Sequence, residues 1–173
     1  MVSKKLLKNM NIEELANKEI QLYDKVCSLN GTIEEKQNQI IALGISNEYN
    51  LIFQKYAELC VENIEALKRG LFISWFSFSE PTFLTGINEL DKNAEENIVK
   101  EINVRIKNNS LDSELNWMID YYKDWDYIFK EYYNYEHFKT KIMNKEETKL
   151  PKIEKQKMEN RGQMGIYWSS LNQ

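Results

Sequence analysis

Tyr49, Phe53, Tyr56, Cys60, Ile64, Leu67, Leu71, Trp75 and Phe78 recur at spacings of three and four over about thirty residues. Such spacing puts every one of these side chains on a single face of an α-helix and leaves none of the alternation that a strand requires. The stripe runs through Gly70, and a glycine inside a helix costs about 1 kcal/mol relative to alanine, which a continuous buried face offsets. The reading is therefore one long helix, kinked at most, with a short buried strand over Leu71 to Phe78 as its rival. With only 6 glycines and 2 prolines in 173 residues, the frequent turns of a sandwich or barrel are not provided for.

Other segments repeat the pattern. Ile12, Ala16, Ile20, Tyr23 and Cys27 mark one face of a first helix, with Asn11 and Glu14 at its start and Gly31 after its end. Thr32 and Glu35 make a capping-box pair for a short second helix that ends at Gly44. Beyond Pro81, Ala94, Ile98, Ile102 and Ile106 define a further helix that stops at Asn108-Asn109. Leu111 to about Phe138 then reads as one long helix with two apolar sides, Leu115, Met118, Tyr122, Trp125, Phe129 and Tyr132 on one and Trp117, Tyr121, Ile128 and Tyr135 on the other. The expected fold is all-α, an irregular antiparallel bundle or two-layer array of five or six helices over residues 1–138. A charged linker over 139–161 and an aromatic segment over 162–173 that packs back on the body complete the chain.

The formal charge of −4 is divided unevenly: residues 139–161 carry +4 and the remainder −8. A body of that sign repels phosphate backbones and attracts basic proteins, so the expectation is no nucleic-acid partner. The longest apolar run, Leu71 to Phe78, is too short to cross a bilayer, and Met1 to Asn9 carries lysines with no signal-like apolar run behind them. The expectation is a cytoplasmic protein with no membrane partner, its two cysteines, Cys27 and Cys60, buried and reduced.

His137 is the only histidine, and no phosphate-binding glycine loop, nucleophile elbow or zinc-protease motif is present. No cofactor and no metal site is called for, although Asp120 and Asp124, four apart on a helix, present two carboxylates to one side. Two constellations remain. In Trp117 to Tyr127, aromatics and carboxylates alternate, and Trp117, Asp120, Tyr121, Asp124 and Trp125 together provide contact area and charge for a basic protein partner. The competing reading makes the same aromatics core and the aspartates solvent-facing. Asp120-Tyr121-Tyr122 is similar to the acid-plus-paired-tyrosine surface by which small bacterial immunity proteins of the nuclease-colicin type hold a basic toxin, which implies toxin neutralisation. The second constellation, Arg69, Trp75, Glu80 and Asp91, would line a pocket for a small molecule or for carboxylate catalysis, or else form a salt-bridged, capped corner. A third expectation is a homodimer through the second aromatic line of the last helix.

Overall fold

The computed structural model describes residues 9–144, 146 and 150–171. All its regular structure is helical: α1 (Ile12–Ser28), α2 (Ile33–Ala42), α3 (Ile45–Leu59), α4 (Ile64–Ser79), α5 (Thr82–Thr85), α6 (Lys92–Lys107), α7 (Ser113–Tyr122), a 3-10 segment (Lys123–Tyr132), α8 (Glu136–Met143), α9 (Lys155–Met158) and α10 (Gly162–Ser170). Lys145, Glu147, Thr148 and Lys149 of the charged segment, and the N-terminal lysines Lys4, Lys5 and Lys8, lie outside the described residues.

At the centre runs α4, in which every residue from Ala66 to Phe76 is buried, Lys68 and Arg69 included. It is enclosed by α3, α6, the 3-10 segment and α10, while α10 also lies along α1. Gly70 is where α6 comes closest, since a Cβ there would stand 2.6 Å from Ile98 Cδ1. The glycine is thus a close-approach residue inside an intact helix, and Leu71 to Phe78 is helical, not a strand.

Three expectations are corrected. The Tyr49 to Phe78 stripe belongs to two helices, because the chain turns after Leu59 and Asn63 restarts it, its side chain accepting the N–H groups of Glu65 and Ala66. The Leu111 to Phe138 helix breaks twice: α7 gives way to the 3-10 segment, within which Trp125 leaves helical geometry (φ −108°, ψ 47°), and α8 begins at Glu136. The buried face of α1 is Leu15, Ala16, Glu19, Leu22 and Val26, so Cys27 is exposed while Cys60 is buried. The ends of the helices follow their local chemistry. Asn11 with Glu14 and Thr32 with Glu35 form reciprocal capping boxes, and Asp91 and Asp112 each accept a backbone N–H from the first turn they cap. No helix among the described residues is long and apolar enough to cross a membrane.

Candidate functional site

The aromatic residues of α7 do not stand free. Tyr121 and Trp117 meet Trp168 of α10 edge-on, at centroid distances of 4.9 and 4.7 Å, and the Tyr121 and Tyr167 hydroxyls share a hydrogen bond of 2.7 Å. Trp75 of α4 sits beneath them, stacked on Tyr122 at 4.7 Å and edge-on to Trp125 at 5.4 Å. Rings from four elements therefore interlock, and edge-to-face pairs of this kind add about 1 kcal/mol each beyond the area they bury. Trp117, Tyr121 and Trp125 remain half-buried, whereas Trp75, Tyr122 and Trp168 are closed off from solvent. The second aromatic line, read as a dimer face, thus has much of its partner within the chain.

The two aspartates diverge. Asp120 is buried, with Lys141 Nζ at 2.7 Å and Lys123 Nζ at 3.5 Å, and Asn116 Nδ2 donates to it at 3.3 Å. It is an internal anchor that ties α7 to α8, and with Tyr122 fully buried the Asp120-Tyr121-Tyr122 triplet does not form an outward surface. Asp124 is exposed at the start of the 3-10 segment, and three residues on, Tyr127 is 55% exposed. Asp124 and Tyr127 stand on either side of the Trp125 kink, both exposed on the outside of the same irregular segment. The C-terminal end of the segment is tied to α6: Tyr132 Oη donates to the buried Glu95 carboxylate at 2.7 Å, and Lys92 reaches Glu131 at 2.5 Å and Glu95 at 2.9 Å. Burial, with the acceptor on Glu95, raises the Tyr132 phenol well above its ordinary range.

Arg69, Trp75, Glu80 and Asp91 occupy separate posts. Arg69 pairs with Glu65 at 2.8 Å and donates to the Ile12 carbonyl at 2.8 Å, so neither the Arg69–Glu80 nor the Arg69–Asp91 ion pair forms. Glu80 follows the far end of α4, about 16 Å from Arg69 along the axis at 1.5 Å per residue. Asp91 caps α6 by accepting the Ala94 N–H at 2.8 Å. Among the described residues no group of three or more His, Cys, Asp or Glu side chains is placed to hold a metal ion.

Sequence reasoning missed a polar lock under the C-terminal helix. Arg161 joins Glu65 (2.5 Å) to Glu114 (2.6 Å), and Lys68 joins Glu114 to Asp112, both at 2.6 Å. Burial works against the Glu114 and Arg161 charges, yet the bonds to Arg161 and Lys68 lower the Glu114 pKa, and those to Glu65 and Glu114 raise that of Arg161. One turn away Glu19, 1% exposed, receives the Tyr56 hydroxyl and, at 3.1 Å, the Gln163 N–H. Gln163 Nε2 continues the chain to Tyr49 Oη and, at 2.8 Å, to the Thr85 carbonyl. Desolvation pushes the Glu19 carboxyl up to about 7, against the lowering effects of Tyr56, Arg69 and the Gln163 N–H. The signal was present: Leu15, Glu19, Leu22 and Val26 keep a four-three-four spacing, with a carboxylate where an apolar residue belongs. The sequence matches no family model, and no curated protein or solved structure is similar enough to match it.

Proposed function

We propose that the protein is a non-catalytic binding module that holds a basic protein partner along the edge of the 3-10 segment, a basic toxin being one partner of that chemistry. The observation that carries this reading is the joint exposure of Asp124 and, at 55%, of Tyr127 on an irregular segment tied to α6 through Tyr132 and Glu131. A tyrosine supplies contact area at little entropic cost, and a solvent-facing carboxylate steers and pairs with Arg or Lys. Departures from regular helix such as the Trp125 backbone concentrate at functional segments. The charge of −8 outside residues 139–161 supports the same partner sign. Relative to the expectation from sequence, the contact edge shifts outward by one turn, with Trp117, Tyr121 and Trp125 as its half-buried floor and Asp120 in a structural role. Arg69, Trp75 and Asp91 are spent on ion pairing, packing and capping, and Glu80 stands apart from them at the far end of α4, which leaves the small-molecule or enzymatic alternative without an observation in its favour.

The test is affinity capture from lysate of the native cell at about 0.1 M and about 0.5 M salt, comparing the wild type with an Asp124→Lys/Tyr127→Ala variant. The expected result is one stoichiometric basic protein, retained by the wild type at low salt, released at high salt and not retained by the variant, while both proteins melt together. Equal capture by both, or no protein partner at either salt, overturns the reading.

A further inference from the structure

Glu19 lies midway along α1 with its carboxyl pressed against the start of α10. Gly162 adopts φ +61°, and a Cβ there would come within 2.5 Å of the Glu19 carboxyl carbon and both its oxygens, so only glycine lets the start of α10 sit on that carboxyl. On the far side the Tyr56 hydroxyl closes over Oε1, and the Tyr49 hydroxyl donates to the Glu19 carbonyl at 3.0 Å. The charged and titratable groups that face the carboxyl are Tyr49 and Tyr56 from α3, Glu65 and Arg69 from α4, and the Gln163 N–H from α10. Arg69 is bonded elsewhere, to Glu65 and the Ile12 carbonyl, and stands 6.0 Å over the Tyr56 ring. Among the described residues no lysine or arginine forms an ion pair with Glu19. An ionised Glu19 is therefore a buried anion with hydrogen bonds but no contacting counter-charge, a costly arrangement.

We propose that Glu19 is a proton-operated latch for α10: with its proton on Oε1, shared with the Tyr56 hydroxyl oxygen, it keeps Oε2 as acceptor for the Gln163 N–H and seats Gly162 and Gln163 on α1, and on releasing that proton to water it loosens the helix that covers Trp117 and Tyr121. The covering rings are Tyr167 and Trp168, so the protonation state of one carboxyl on α1 sets how firmly the aromatic floor beside the 3-10 segment is closed. The N-terminus of α10 and the Tyr56 hydroxyl both favour the anion, and burial outweighs them, which brings the transition to about pH 7. Around neutrality the carboxyl therefore exchanges its proton, and a rise in pH weakens the seating of α10. The latch is independent of which partner the 3-10 edge holds.

Two measurements on the full chain test it. A carbon-13 titration of the glutamate carboxyls, with Glu19 assigned by its absence in Glu19→Gln, should show a Glu19 midpoint within about one unit of 7; a midpoint near the ordinary 4.5 overturns the latch. Amide exchange over residues 163–168, corrected for intrinsic rates, should show protection falling about tenfold between about pH 6 and about pH 8.5 in the wild type. Glu19→Gln is isosteric with the protonated acid and should hold its protection constant over that range. Constant protection in the wild type, or the same fall in Glu19→Gln, overturns the proposal.

Discussion

Asp120 and Asp124 are four residues apart, yet a lysine placed at each should read very differently. At 120 it would bury a third amine against Lys141 and Lys123, and uncompensated buried charges of this kind cost on the order of 3 to 5 kcal/mol. Asp124 is exposed, and its exchange for lysine should leave stability within about 0.5 kcal/mol. Urea unfolding of the two variants separates the cases, and equal midpoints would refute the assignment of Asp120 as an internal anchor. Acidity acts on single residues as well. Glu19 binds its proton more tightly in the folded chain, so its contribution is fully present below its unfolded value of 4.5 and is lost as pH climbs through about 7. Glu114 is shifted the other way by Arg161 and Lys68, so its contribution is present above its ordinary value of 4.5 and is lost as pH falls through its lower folded value. Unfolding midpoints measured across the range should therefore peak between these limbs, in mildly acidic solution, and the alkaline limb should flatten in Glu19→Gln.

At the scale of elements, the seating of α9 and α10 depends on Gly165, where a Cβ would stand 2.1 Å from the Met158 carbonyl oxygen. Backbone cannot yield there, whereas the atom facing Gly70 is the tip of the Ile98 side chain, at 2.6 Å. Gly165→Ala should therefore destabilise by about 3 kcal/mol or more and Gly70→Ala by clearly less, helped by the better helix propensity of alanine. Thermal melts that rank them in the opposite order would contradict this packing. The same contrast between local and distant causes explains what was legible in the sequence. Caps were readable because Asn11 and Glu14, or Thr32 and Glu35, act within one turn of themselves. The stop at Asn108 was readable for the same reason, and Asn109 takes a positive φ that asparagine tolerates. The break before Asn63 was hidden because the turn preserves the three-four rhythm: Cys60 and Ile64 stay in step on either side of it. In the site, the proximity of Trp117, Tyr121 and Trp125 followed from helical spacing, but the cover of Trp117 and Tyr121 by α10 joins residues some 46 or more positions apart and leaves no periodic trace. Asp120 was misread as outward-facing because Lys141, which neutralises it, belongs to another helix.

For the molecule as a whole, the C-terminal helix completes a core begun at α1. A chain ending before Arg161 would keep Glu19 without Gln163, Glu65 and Glu114 without their shared guanidinium, and Trp117 and Tyr121 without Trp168. Such a chain should retain far-ultraviolet helicity while losing near-ultraviolet aromatic dichroism and binding hydrophobic dyes, as loosely packed compact states do. A native near-ultraviolet spectrum from the truncated chain would refute this dependence. The geometry also imposes an order on birth. The Glu19 carboxyl meets an N–H donor 144 positions later in the chain, and ribosomes add roughly 5 to 20 residues per second. For roughly 7 to 30 seconds, at those rates, each newborn copy therefore carries an open notch along α1, and an acid that ends 1% exposed begins its life in contact with water.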